Sequence, residues 1–168
     1  MDAIEYVRRQ LASSRRILDA TLRDTTDDQL NWRPPGAANP IGVTLLHLAA
    51  AEDMFVQRTL RGQRTLWSAD GWAERVGVPA PPGRDNWQEL ASARLEIAPL
   101  LAYERAVRNA TDEYLSTLTD SDLDREQEFF GRSRQVADVL ALVVTHAVGH
   151  AGEIGALKGA QGVTGLPL

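Results

Sequence analysis

The sequence predicts an all-α protein, a four-helix bundle with a long connection between its second and third helices. Three observations lead there. Four long stretches place apolar residues at three- and four-residue steps, and none alternates apolar and polar residues as a half-buried strand would. The chain has 168 residues, 43% of them hydrophobic, which suits a single domain over residues 1–168 with a sizeable core. It contains no cysteine, so that core is expected to stand without disulfides.

The elements follow in order. The first helix is expected over residues 2–23, where Ile4, Val7, Leu11, Leu18 and Leu22 form one apolar stripe among charges. Asp24 and Thr25 end it, and Thr26-Asp27-Asp28-Gln29 has the form of a capping box opening one short turn. Asn31-Trp32-Arg33-Pro34-Pro35-Gly36 reads as a proline-stiffened loop. A second helix over residues 40–60 starts on Pro40, a favourable first-turn residue, with Gly62 as its stop. Residues 63–86, with Trp67, Trp72, Pro79, Pro81 and Pro82, read as a long connection, and such connections are commonly lids, interfaces or binding loops.

A short helix is expected at 87–94. The third long helix begins near Pro99 and turns Leu100, Tyr103, Val107, Ala110, Tyr114 and Leu118 inward. Residues 119–134 are polar and acidic apart from Phe129 and Phe130, and Ser133 is the candidate cap of the last helix. That helix, 135–159, is the most apolar of the four, and the glycine-rich tail beyond it cannot continue the winding.

Charge and composition exclude several classes. There are 23 acidic against 18 basic residues, a net charge of -5, and the bases form no stripe, so nucleic-acid binding is not expected. Arg8-Arg9 and Arg15-Arg16 sit beside Asp2, Glu5 and Asp19 and read as solvated helix face. No run of 18 apolar residues and no basic-then-apolar start occur, so the expectation is a cytoplasmic protein without a membrane partner. Lack of cysteine excludes thiolate zinc sites, iron–sulfur clusters and a cysteine nucleophile.

The three histidines carry the chemistry. His146 and His150 lie four residues apart, roughly 40° around a helix, on the face shared by Val136, Val139, Val143, Ile154 and Leu157. His47 shares its face with Val43, Ala50, Ala51 and Met54. One histidine on an apolar face is ordinarily a satisfied core residue. Three buried imidazoles need partners, and a four-residue spacing is that of paired metal ligands on a helix. His47, His146 and His150 are therefore the candidate ligands of a divalent metal, zinc first, with nickel, iron or manganese compatible with imidazole. The pattern is not HExxH, because Ala147 and Val148 follow His146.

Glu153 falls on the same face, as a fourth ligand, an acceptor that orients an imidazole, or a catalytic proton acceptor; the plainer reading is a rim carboxylate. Glu52 and Asp53 point away from His47 on a regular helix and read as surface. Arg58, three turns on from His47, is a candidate for holding an anionic substrate or thiol cosubstrate, with an ordinary salt bridge as the alternative. Trp32, or the tryptophans of residues 67–87, could cover the site, with packing the plainer role.

Two stretches then carry a resemblance. Leu30-Asn31-Trp32-Arg33-Pro34, Asn39-Pro40-Ile41-Gly42 and Leu46-His47-Leu48-Ala49 through Glu52 resemble the first half of the DinB/YfiT-like superfamily. His146-Ala147-Val148-Gly149-His150-Ala151-Gly152-Glu153-Ile154 resembles its second signature. The resemblance implies a four-helix bundle, often a homodimer, holding a divalent metal through His47, His146 and His150. It further implies a small-molecule substrate and, in some members, transfer or isomerisation with a low-molecular-weight thiol such as mycothiol or bacillithiol. Some members carry glutamate where this chain has His146. A hydrolase using metal-activated water and a non-enzymatic metal-binding stress protein are the competing expectations.

Overall fold

A computed structural model describes residues 1–83 and 85–166. The expected all-α class is seen, with a single two-stranded sheet among the described residues. Helix α1 (Ala3–Leu22) is capped by Asp2, whose side chain accepts from the Glu5 amide, and buries Ile4, Leu11, Leu18 and Leu22 along one stripe. Its C-terminal carbonyls are met by Lys158, whose Nζ donates to Thr21 O at 2.8 Å and to Arg23 O at 2.9 Å. The Thr26–Gln29 capping box opens the short helix α2 (Asp27–Asn31), as its sequence predicts.

Helix α3 (Ile41–Asp53) passes without a break into a π-helical stretch, Met54–Leu60. The expected helix over 40–60 is therefore present, but its winding changes halfway along. Within 63–86 the chain is not a bare connection. It forms α4 (Leu66–Ala69) and α5 (Trp72–Val76), whose Trp67 and Trp72 are buried with ring centroids each 5.2 Å from that of Tyr103. Asp53 fixes this corner: its carboxylate accepts from Leu66 N at 2.9 Å, Trp67 N at 3.0 Å and Tyr103 Oη at 2.7 Å.

The reading of Glu52 and Asp53 as surface residues is thus corrected. Asp53 is 0% exposed, and Glu52 accepts from Thr111 Oγ1 at 2.7 Å and Arg15 at 3.3 Å. The side of α3 away from His47 is covered by other helices, so pointing away from one partner does not mean facing water. Burial raises the Asp53 pKa, opposed by the bonds from Trp67, Leu66 and Tyr103. Burial likewise pushes Glu104 up to about 7 although Arg108 lies against it.

After α6 (Trp87–Leu90), helix α7 (Ile97–Ser116) starts slightly earlier than predicted and turns Thr111 inward, with Ala110 only half-buried. A 3-10 turn (Asp120–Asp124) leads into the hairpin β1 (Glu126–Phe129) and β2 (Arg132–Gln135), antiparallel with Phe129 opposite Arg132. The expectation of no strand fails here because Glu-Gln-Glu-Phe and Arg-Ser-Arg-Gln are too polar to show an alternation of apolar residues. Ser133 lies in β2 and does not cap the last helix, which begins one residue after Gln135.

That helix, α8 (Val136–Ala160), packs on α1 and α3. By length and mean hydropathy (1.4) it is, among the described residues, the one helix apolar enough to cross a membrane. In this fold its Val136, Val139, Leu140, Val143, Ile154 and Leu157 are buried. Beyond it the tail folds back so that Gly165 meets the carbonyl of Gly155, an approach that a Cβ on Gly165 would block.

Candidate metal centre

The middle of α3 and the middle of α8 meet at the three histidines. His146 Nε2 lies 3.2 Å from His47 Nε2 and 3.1 Å from His150 Nε2. One ligand nitrogen from each ring falls within 4.8 Å of the others. The rings are set edge to face, at interplanar angles of 68°, 83° and 87°, so their nitrogens converge and their faces do not stack. Nitrogens on a tetrahedral zinc, with bonds of about 2.05 Å, stand roughly 3.3 Å apart.

Proton bookkeeping tests whether the donors fit a cation. Glu153 Oε2 lies 2.7 Å from His150 Nδ1. An ionised carboxylate only accepts, so Nδ1 carries the hydrogen, which leaves Nε2 as the nitrogen of His150 able to turn a lone pair to a cation. Burial, the largest cause, holds His47 below its ordinary pKa, and burial with the charges of His150 and His47 pushes His146 down to about 4. Both are neutral at pH 7. His146 Nε2 then has either one hydrogen or one lone pair, and hydrogen bonding satisfies at most one of its two short contacts. A single cation accepts all three lone pairs, so the donor set fits a divalent metal.

The surroundings keep this cluster half-buried. Trp87 of α6 covers His47 with centroids 4.9 Å apart, and Phe55 approaches His146 at 6.0 Å. Thr44, one turn before His47, lies with Oγ1 3.4 Å from Glu153 Oε1.

Among the sequence-predicted residues, the structure thus brings together His47, His146, His150 and Glu153. Trp32 is half-buried and packs against the main core cluster. Arg58 is exposed and lines a depression with Gly62, Gln63, Arg64, Thr65 and Ser68. Each residue of the π turns winds by roughly 80° rather than 100°, which carries Arg58 about 70° behind its azimuth on a regular helix. Trp87, Phe55 and Thr44 are the neighbours that sequence reasoning passed over or left unspecified. Thr44 and Phe55 stand three residues before and eight after His47, a spacing that marks its face.

The family model for the DinB superfamily matches residues 10–154. The chain belongs to the DinB superfamily. Solved structures agree with that fold. A conserved protein from Enterococcus faecalis superposes with a TM-score of 0.80 at 20% identity, over 94% of this chain and 96% of that one. A DinB-like protein from Bacillus cereus gives a TM-score of 0.61 at 20% identity, over 98% and 93% of the two chains. At such identities they speak for the fold of this DinB-superfamily chain alone. No curated protein matches it at a significant level.

Proposed function

We propose that this DinB-superfamily protein is a divalent-metal-dependent thiol transferase, built as a four-helix bundle with a long connection between its second and third helices. The observation that carries the metal part is the convergence of three imidazole nitrogens whose mutual contacts hydrogen bonds cannot all satisfy. His47, His146 and His150 would hold the metal, zinc before nickel, iron or manganese. Three ligands leave a tetrahedral ion one open position. When bound, the metal supplies a Lewis acid that lowers the pKa of a thiol or water placed there.

The chain's own residues then have separable tasks. Glu153 holds the hydrogen of His150 on Nδ1 and so keeps Nε2 free; in this reading it acts through His150. Trp87 and Phe55 stand against His47 and His146 and limit water around the cluster. The chain contains no cysteine, so the sulfur arrives with a low-molecular-weight thiol, gives up its proton, and leaves joined to the carbon of a small electrophile as that carbon's leaving group departs, chloride in the case of monochlorobimane. A homodimer, which rests on the family resemblance, and a cytoplasmic location, which rests on composition, belong to the same proposal.

Metal analysis of reconstituted wild type beside His47→Ala, His146→Ala and His150→Ala tests the first part. Stoichiometric metal in wild type and its loss in the variants is the expected result; variants that retain it overturn the site. Incubation of the loaded protein with several thiols and monochlorobimane tests the second. Conjugation that ignores the metal refutes the transferase reading and leaves a metal-binding protein.

A further inference from the structure

The hairpin and the N-terminal half of α8 enclose a cleft of about 500 Å³, a size suited to a small molecule. Its apolar surface comes from Phe129, Phe130 and Leu142, and two guanidinium groups, Arg132 and Arg134, border it. The β pleat arranges this composition. Cross-strand partners share a face, so Phe129 with Arg132 and Gln127 with Arg134 stand together. The acids of β1, Glu126 and Glu128, occupy the opposite face, where Glu126 accepts from Ser133 at 2.8 Å. Among the described residues neither arginine forms an ion pair. The one acid lining the cleft, Asp138, turns its carboxylate to the Gln135 amide at 3.4 Å.

Phe130 is the independent sign. It is 72% exposed and sits at φ 51°, followed by Gly131 at φ 76°, a turn whose first position ordinarily takes Asn, Asp or Gly. A bulky residue held there is a conformational outlier, and such outliers cluster at ligand clamps. Its ring lies 4.6 Å from that of Phe129, and both extend the aromatic lining of the cleft. Buried Phe55 touches Phe129, Phe130 and His146, so one ring joins the aromatic wall of the cleft to the histidine cluster.

We propose that the cleft between the hairpin and α8 is a binding site for a flat aromatic molecule carrying one anionic group. The phenyl rings of Phe129 and Phe130 pack against the aromatic body, and Arg132 and Arg134 receive the carboxylate with planar, charge-assisted hydrogen bonds. The site stands whether or not the histidines hold a metal.

Titration of the intact protein with 2-naphthoate, read by calorimetry, tests it beside the neutral isostere 2-naphthylmethanol. Saturable one-to-one binding of the carboxylate is expected, weakened about tenfold or more in an Arg132→Gln/Arg134→Gln variant. Phe130→Asn keeps a residue suited to positive φ and removes the ring. It should weaken binding similarly while leaving Tm unchanged or higher, a split that a purely structural role would not give. Absent binding, equal binding of the neutral isostere, or unaltered affinity in the arginine variant overturns the proposal. Conversion of a dimer to a monomer by Phe130→Asn, seen by sedimentation velocity, also overturns it and makes the face a self-interface. Metal analysis reads the histidine site separately, so either result can fail alone.

Discussion

Replacing Glu153 by glutamine separates three roles that one carboxylate beside a metal site could have. In the structure Oε2 lies 2.7 Å from His150 Nδ1, a charge-assisted bond that fixes the tautomer and raises the basicity of Nε2. Glutamine keeps the shape and one acceptor oxygen but removes the charge. Loss of such an orienting partner weakens metal binding by about 10- to 100-fold, roughly 1.4 to 2.7 kcal/mol. The Glu153 side chain is 36% exposed, so solvent screens part of that charge and the effect belongs at the lower end, near tenfold. Competition for zinc against a chromophoric chelator measures it, with far-UV circular dichroism to confirm the fold. Unchanged affinity would refute the orienting role. A loss as large as that of His150→Ala would refute it in the other direction, by making Glu153 itself a ligand. Thr44→Val should change affinity by less than about twofold, because its 3.4 Å contact with Glu153 is too long to contribute much.

Three further outcomes follow from the structure. His146 has its folded pKa lowered to about 4, so below its ordinary 6.5 the unfolded chain takes up the proton first and metal-free protein loses stability as pH falls from 6.5 to 4. Given its partial exposure the loss should be about 1–2 kcal/mol, and urea unfolding at pH 7 and pH 4.5 in the presence of chelator should show a smaller pH difference for His146→Phe than for wild type. Asp53→Asn leaves three donors facing one neutral acceptor and its own amide hydrogens; it should cost about 2–4 kcal/mol in chemical denaturation and alter the emission of Trp67. Gly165→Ala places a methyl group against the Gly155 carbonyl, and faster amide exchange confined to the tail, with under about 1 kcal/mol of global loss, is expected.

The histidine cluster was legible because a four-residue spacing reports a shared face whatever surrounds the helix, and because His47 lies in regularly wound α3. The capping box at Thr26 was legible because it is local. Burial of Glu52 and Asp53 was not, since a helical wheel drawn from His47 says nothing of what α7 and α1 cover on the other sides. Helices α4 and α5, of four and five residues, are too short to show a period, so their sequence reads as turns and tryptophans. The hairpin escaped for a chemical reason: its inward positions are Gln127 and Phe129 and its partners are arginines, which serve a cleft rather than a core.

The wide turn at Met54–Leu60 has a consequence for how this chain can vary. A uniformly wound helix would tie the phase of Val56 and Leu60, which seat in the core, to that of His47 upstream. The π segment decouples them, so each half can be tuned to its own neighbours without a compromise in angle. The same wide turns can absorb a change in length. Six residues wound at about 100° cover nearly the angle of the seven in Met54–Leu60 wound at about 80°, so removing one would let the segment close to regular α winding with only a small change of phase downstream. Substitutions can accumulate on both sides of it, and it is where this helix can lose a residue without turning its core side chains toward water.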